Sequence, residues 1–406
     1  MKSIDLLDYT SEKYNGPALR LGAGVDGFEA YQFADQHGLQ VVGGFCPTVG
    51  IVGGYTQGGG HSPMSSTHGL GADQALAWEV VTANGKHVLA SPSQNKDLYW
   101  ALSGGGGGTY GVVISLTIKA YPDGIVGGAS LSFASKGIPR ASFWKIFQVW
   151  QESLPNLVDS GATAGYALLK DVIPNEIFFV DTITAPSHTE SEVEKLLEPT
   201  ISALKAIGAE YTLSITSKPS YLSHFETYFG PLPNGIYTIH HLFAGRMIPR
   251  SVVHTNGAQL TTTIENITEN SNSFLGFVAL DVSQTKHRQA VAHNAVLPAW
   301  RDALITVLAQ STWDFESPRD DGIARANELT YEVIPQLTRM TEGSGTYLNE
   351  ADFQLQTWKD EFYGVNYDKL LTIKSHYDPD GMFFARLSVG SDAWKLKDDG
   401  RLCRVR

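Results

Sequence analysis

The chain has 406 residues, 42% of them hydrophobic and 18% charged, enough to bury one large core or two ordinary ones. A formal net charge of −12 argues against a nucleic-acid or anionic-membrane surface, both of which need a basic field, and no apolar run reaches bilayer length. Two cysteines, Cys46 and Cys403, cannot build a disulfide framework. No secretory h-region is read at Met1-Lys2-Ser3-Ile4-Asp5, so the compartment is left open.

In chain order, residues 18–25 read as a strand. Asp26 caps a short helix to about residue 37, with Gly38 as its stop. Residues 39–42 form a second strand feeding a glycine-rich loop, Gly44-Phe45-Cys46-Pro47-Thr48-Val49-Gly50-Ile51-Val52-Gly53-Gly54-Tyr55-Thr56-Gln57-Gly58-Gly59-Gly60-His61. Residues 75–82 and 86–90 flank Asn84-Gly85, the signal of a type I′ hairpin. A short helix, 95–102, leads into five consecutive glycines, 104–108, and a long strand, 110–120. Tyr121-Pro122-Asp123-Gly124 breaks that strand and marks a domain boundary. The middle reads as antiparallel strands, among them 177–183 and 303–308, with helices at 191–207 and 324–340. Strands and helices without βαβ alternation give an α+β layer. From residue 345, two short helices, 351–362 and 367–377, precede the turn Asp378-Pro379-Asp380-Gly381.

Glycines as dense as Gly50, Gly53, Gly54, Gly58, Gly59 and Gly60 let backbone N–H groups approach a ligand closely. That suits a phosphate-bearing cofactor, and the Cys46 thiol at the loop's mouth is placed to bond to it. Taken alone, such a run is more often a surface loop, and a lone cysteine a small buried hydrophobe. The run 104–108 costs about 0.5–1 kcal/mol per glycine in ordered structure. It reads equally as a tight connector or as backbone packed on a ligand or a second glycine loop. Neither P-loop nor dinucleotide-fold spacing is present. No metal site is expected, since the one adjacent histidine pair, His240-His241, would point to opposite faces of a strand. Tyr347-Leu348-Asn349-Glu350 and Phe362-Tyr363-Gly364-Val365-Asn366-Tyr367 group phenols with amides; they read as core aromatics or as acid–base and ring-orienting groups.

Several of these pieces, in order, resemble the berberine-bridge-enzyme-like branch of the vanillyl-alcohol-oxidase flavoproteins, in wording closest to its fungal members. They are Cys46-Pro47-Thr48-Val49-Gly50, the text from Gly53 to Pro63, Gly69-Leu70-Gly71-Ala72-Asp73-Gln74, glycines 104–108 and Tyr110-Gly111-Val112-Val113. Near the end Tyr347-Leu348-Asn349-Glu350-Ala351-Asp352, the text from Phe362 to Tyr367, and Tyr377-Asp378-Pro379 continue the match. The resemblance implies an α+β protein with a PCMH-type FAD-binding domain made of residues 1–124 and a returning segment, 345–406. An antiparallel-sheet substrate-binding domain, 125–344, is inserted between them. It implies FAD, bound covalently at C6 through Cys46, with Gly50, Gly53, Gly54, Gly58, Gly59 and Gly60 along the flavin. Gly111 and Val113 would meet the nucleotide end, and Asn366 and Tyr367 the ring. Tyr347 stands where several members place a catalytic base; a phenol, with an ordinary pKa near 10, needs a favourable neighbour for that. The implied activity is oxidation of a small metabolite in secondary metabolism, with hydride passing to flavin N5 and O₂ as acceptor. No nucleic-acid or membrane partner is implied.

Members of the family also carry an R-S-G-G-H-type loop ahead of this text, whose backbone grips the pyrophosphate and whose histidine makes a second flavin bond. No S-G-G-H precedes Cys46, and His61, in the later loop, is not expected to take that role. The sequence therefore leaves open a chain lacking the first lobe, a lobe supplied by a separate polypeptide, or a truncated or degenerate non-redox member, a binding remnant or cyclase.

Overall fold

Asp26 shows how closely local chemistry sets the first elements. Its carboxylate accepts the Glu29 N–H at 3.0 Å while the Glu29 side chain accepts the Asp26 N–H at 3.1 Å, a reciprocal capping box. The helix it starts, Gly27–Asp35, buries Ala30, Tyr31 and Ala34, and Gly38 leaves it at φ +66°. Asp26→Ala is expected to cost about 1 kcal/mol, read as a lower urea midpoint at unchanged slope. The computed structural model describes residues 1–172, 174–230, 240–283, 292–397 and 399–405.

Two antiparallel sheets carry the molecule. The first has the strand order Ile4–Thr10, Asn15–Gly22, Val112–Lys119, Ala75–Val81, His87–Ala90. The predicted strand at 39–42 is only Leu39–Gln40, paired with Tyr121–Pro122, so the segment read as a boundary also closes a short bridge. The hairpin at Asn84-Gly85 forms with Val81 opposite His87, but by a different turn. Gly85 N–H reaches Thr82 C=O at 2.9 Å and Thr82 N–H reaches Lys86 C=O at 3.0 Å. Only Gly85, at φ +77°, is left-handed. This is a three-residue loop closed by a glycine bulge, which needs one positive φ where type I′ needs two.

The second sheet has seven strands, in the order Tyr211–Lys218, Val126–Ala134, Ile177–Pro186, Thr163–Lys170, Phe274–Ala279, Ala303–Thr312, His241–Pro249. Alternation along each strand divides its faces. One face, with Phe133, Leu168, Phe179, Ile183, Leu275 and Val307, packs under the helices Arg140–Asp159, Glu190–Ala206 and Arg250–Asn270. Phe143, Phe147, Trp150, Leu154 and Leu157 form the buried stripe of the first of these, spaced at three and four residues. Each large side chain so buried contributes roughly 2 kcal/mol. The other face turns toward the glycine loops.

The helix expected at 191–207 is Glu190–Ala206, and that at 367–377 is Tyr367–Tyr377. The one expected at 324–340 starts earlier, at Arg319, and changes pitch over Leu329–Val333 ahead of Pro335. Of the helix expected at 351–362, only Trp358–Phe362 forms. Among the described residues no helix is long and apolar enough to cross a membrane.

Candidate active site

The Cys46 loop is pinned to the start of the capped helix. Phe28 N–H reaches Pro47 C=O and Gly27 N–H reaches Val49 C=O, each at 3.0 Å, and Val49 N–H closes a turn on Cys46 C=O at 3.3 Å. Tyr31 Oη donates to Gly44 C=O at 2.8 Å. The thiol is half-buried, with Sγ 3.4 Å from Thr48 Oγ1.

The second glycine run docks on the first. Gly104 and Gly106 N–H groups both reach Gln57 C=O, at 3.0 and 2.9 Å, and a Cβ on Gly107 would stand 3.1 Å from Gly54 Cα. Of the two sequence readings, backbone packed on a second glycine loop is therefore the one observed. Gly111 has a plain packing reason, since a Cβ there would meet Val80 Cγ1 at 2.7 Å and Val81 O at 2.8 Å; Val113 is buried beside it.

The returning tail passes along the edge of the seven-stranded sheet. Met247 N–H reaches Gly345 C=O at 2.8 Å, Thr346 Oγ1 donates to Gly245 C=O at 3.0 Å, and Arg246, buried, is tied to Glu361 Oε2 at 2.9 Å. This sets Tyr347 beneath the first glycine loop. Its phenol oxygen accepts from Asn349 Nδ2 at 2.8 Å. Asn349 Nδ2 also donates to Gly54 C=O at 2.8 Å, and a Cβ on Gly58 would collide with that amide at 2.5 Å. Burial, followed by the Glu350 charge, pushes the Tyr347 phenol above its ordinary range. Asn366 Nδ2 donates to Ala295 and Val296 C=O at 3.3 and 3.2 Å, beside Gly104, whose Cβ position lies 2.3 Å from Val296 N. Tyr367 instead packs within the tail, against Trp358 and under Lys359, with Oη 3.1 Å from Asp392.

Between these loops and the free face of the large sheet lies a cavity of about 490 Å³. Phe45, Cys46, Pro47, His61 and Glu350 form one wall, Tyr228 and Phe229 another, and Gly165, Ala167 and Gly276 belong to the sheet floor. His61 Nε2 and Glu350 Oε1 are 2.8 Å apart. The Tyr347 ring stands edge-on to His61 at 5.2 Å, and the Phe45 ring lies 5.5 Å from it. Sequence reasoning did not single out this pair. The available signals were a histidine directly after the glycine triplet and a glutamate one turn beyond Tyr347, where Glu350 N–H reaches Tyr347 C=O at 3.0 Å.

The sequence model of the family described as "Berberine and berberine like" matches residues 346–390, and that described as "FAD binding domain" matches residues 4–91. FAD-linked oxidoreductase ZEB1 of Gibberella zeae is 41% identical over 405 residues, covering 100% of this chain and 69% of that protein. FAD-linked oxidoreductase patO of Aspergillus clavatus is 42% identical over 406 residues, with the same two coverages, 100% and 69%. The chain belongs to the berberine-bridge-enzyme-like family of FAD-linked oxidoreductases. The crystal structure of the VAO-type flavoprotein MtVAO615 from Myceliophthora thermophila C1 superposes with a TM-score of 0.93 at 38% identity, over 100% of this chain and 73% of that one. The FAD-binding match begins at residue 4, so the expectation that the domain lacks its first lobe finds no support. The non-redox reading is not favoured either, because the oxidoreductase relatives align along the whole chain.

The residues present fit FAD. At Gly50, Gly53, Gly54 and Gly108 a Cβ would meet nothing within 4 Å. Val49, Val112 and Val365, next to Gly50, Gly111 and Asn366, expose 39%, 51% and 88% of their surface. Bare backbone with exposed apolar side chains beside it suits a flat cofactor.

Proposed function

We propose that this chain oxidises a small metabolite in the cavity between the large sheet and the glycine loops. The observation that carries this reading is the shared wall: the Cys46 loop and the His61–Glu350 pair face one cavity. In this reading residues 1–124 and 345–406 hold FAD, and 125–344 supply the substrate floor. Cys46 is the covalent attachment point. Gly50, Gly53, Gly54, Gly58, Gly59 and Gly60 bring backbone to the cofactor, joined by Gly111, Val113 and Asn366, while Tyr367 supports that edge from within the tail's aromatic cluster. Bound FAD supplies the hydride acceptor, with O₂ as terminal oxidant.

The chain's own residues then divide the remaining work. Substrate enters over the bare floor, and Phe45 and Phe229 exclude water. The substrate's hydroxyl or amine proton passes to Glu350, which His61 orients through the 2.8 Å contact. Tyr347 belongs to the same group. Its phenol stays protonated because burial disfavours the charged form, and its ring fixes the plane of His61. Two readings test the function: visible flavin absorbance of the full chain after reconstitution with FAD, and oxygen uptake with a panel of apolar alcohols. A yellow protein that consumes oxygen with at least one alcohol is expected. A colourless protein sinks the cofactor assignment, and a yellow protein silent across the panel sinks the oxidation.

A further inference from the structure

We infer that the cavity selects flat molecules bearing an alcohol or amine, and that Glu350 is the residue that turns acids away. This rests on the reading of the cavity as the substrate site.

Charge decides the first half of the selection. Among the described lining residues there is no Lys or Arg; Glu350 is the acidic side chain on the wall, and its partner is His61. The pair carries zero or negative net charge whichever state His61 adopts. A carboxylate taken into this space leaves water without meeting a lysine or arginine, the lining histidines being His61, already engaged with Glu350, and His241, and it faces another carboxylate. An alcohol or amine donates to Glu350 instead. Asp181 also borders the cavity, but it stands opposite Tyr166 in the register, on the helix-facing side. Its carboxyl therefore gives an incoming cation or anion nothing.

Shape decides the second half. The floor is stripped of side chains at Gly165, Ala167 and Gly276, while Phe45, Phe229 and Phe274 supply aromatic surface. A Cβ at Gly276 would meet only Gln310 Nε2 at 3.7 Å and Leu308 O at 3.8 Å, so that glycine keeps open space. Tyr228 Oη is already engaged with Thr216 Oγ1 at 2.9 Å. Thr182, Thr306, Gln310 and His241 are further polar side chains of the lining and can meet a ligand's second polar group, while the phenyl rings take its flat face.

The experiment compares three probes of one shape, cinnamyl alcohol, cinnamylamine and cinnamate, by anaerobic titration calorimetry on the full chain reconstituted with FAD. The alcohol and amine are expected to bind, and cinnamate at least ~10-fold more weakly, in line with a like charge at short range. In Glu350→Gln that gap should shrink to within about threefold. Gly276→Ala, whose Cβ would meet nothing closer than 3.7 Å, should weaken all three by a similar factor and leave their order intact. Equal binding of cinnamate by the unaltered protein, a gap that survives in Glu350→Gln, unchanged binding in Gly276→Ala, or no binding of any probe each overturns the inference. Because binding is read without oxygen, the expected order in a protein that shows no oxygen uptake refutes the oxidation and leaves this selectivity standing. Oxygen uptake with the order reversed does the opposite.

Discussion

Cys46→Ala is expected to turn the acid-precipitated protein from yellow to colourless while leaving its fold intact. The first half follows from position. Cys46 opens a turn whose carbonyls are held by the N–H groups of Gly27 and Phe28, and that helix start is itself fixed by the Asp26–Glu29 capping box. The sulfur is thus presented to the cavity from a rigid mount, which is what a bond to a fixed ring atom demands. The second half follows from how little the thiol does otherwise. It is half-buried, and among the described residues its hydrogen-bond contact is Thr48 Oγ1 at 3.4 Å. Its removal should cost well under about 1 kcal/mol, as for substitutions away from core or network positions. Retention of colour in an acid-precipitated pellet therefore separates the two roles. Colour that persists in the variant would reduce Cys46 to a piece of cavity wall. Colour that disappears together with a large fall in the urea midpoint would point to a folding defect rather than a lost bond.

What the sequence made legible here is what local chemistry decides. The capping box, the glycine stop at Gly38, the hairpin at Gly85 and the helix Tyr367–Tyr377 each depend on residues within a few positions of one another. The turn type at Gly85 was misjudged because Asn84-Gly85 serves both a two-residue turn and a bulged three-residue one. The helices Arg140–Asp159 and Arg250–Asn270 were not read at all. The first contains Pro155 and has no side-chain cap; the second is rich in threonine and kinks at Asn256. Both are stabilised by the sheet they cover more than by propensity. The active site divides in the same way. Cys46 and the glycines stand in one contiguous stretch and could be named. His61 and Glu350 are 289 residues apart and become a pair only when the tail runs along Gly245–Met247 under the glycine loop. Tyr367, named with Asn366 from one motif, is separated from it by burial in the tail's own aromatic cluster.

Asp181→Asn is expected to stabilise the protein by several kcal/mol at pH 8 and to change it little near pH 4. Asp181 stands between Phe179 and Ile183 on the helix-facing side of the large sheet, 1% exposed. One carboxyl oxygen accepts the Leu131 N–H at 2.8 Å; the other has no hydrogen-bond partner. Burial pushes the carboxyl up to about 8, against the smaller opposing effect of the Leu131 N–H. In the unfolded chain it titrates near 3.9. Between those two values the folded state holds a proton that the unfolded state has released. Stability must therefore fall as pH rises, by about 1.4 kcal/mol per unit for this group, and level off above pH 8. His224 works in the opposite sense. Burial, followed by the charge of Lys218, pushes its imidazole down to about 3. Its contribution is complete above its unfolded value near 6.5 and is lost as pH falls toward 3. From about pH 4 to 6.5 the two slopes cancel, so the unaltered protein should show a nearly flat stability curve there and a decline from 6.5 to 8. Asparagine keeps an acceptor for the Leu131 N–H but has no proton to lose. Its curve should instead rise to about pH 6.5 and stay level beyond it. Urea unfolding at pH 4, 6.5 and 8 distinguishes the two shapes, and a difference between the proteins that is the same at all three values would show that Asp181 is not held as a neutral acid beneath the substrate floor.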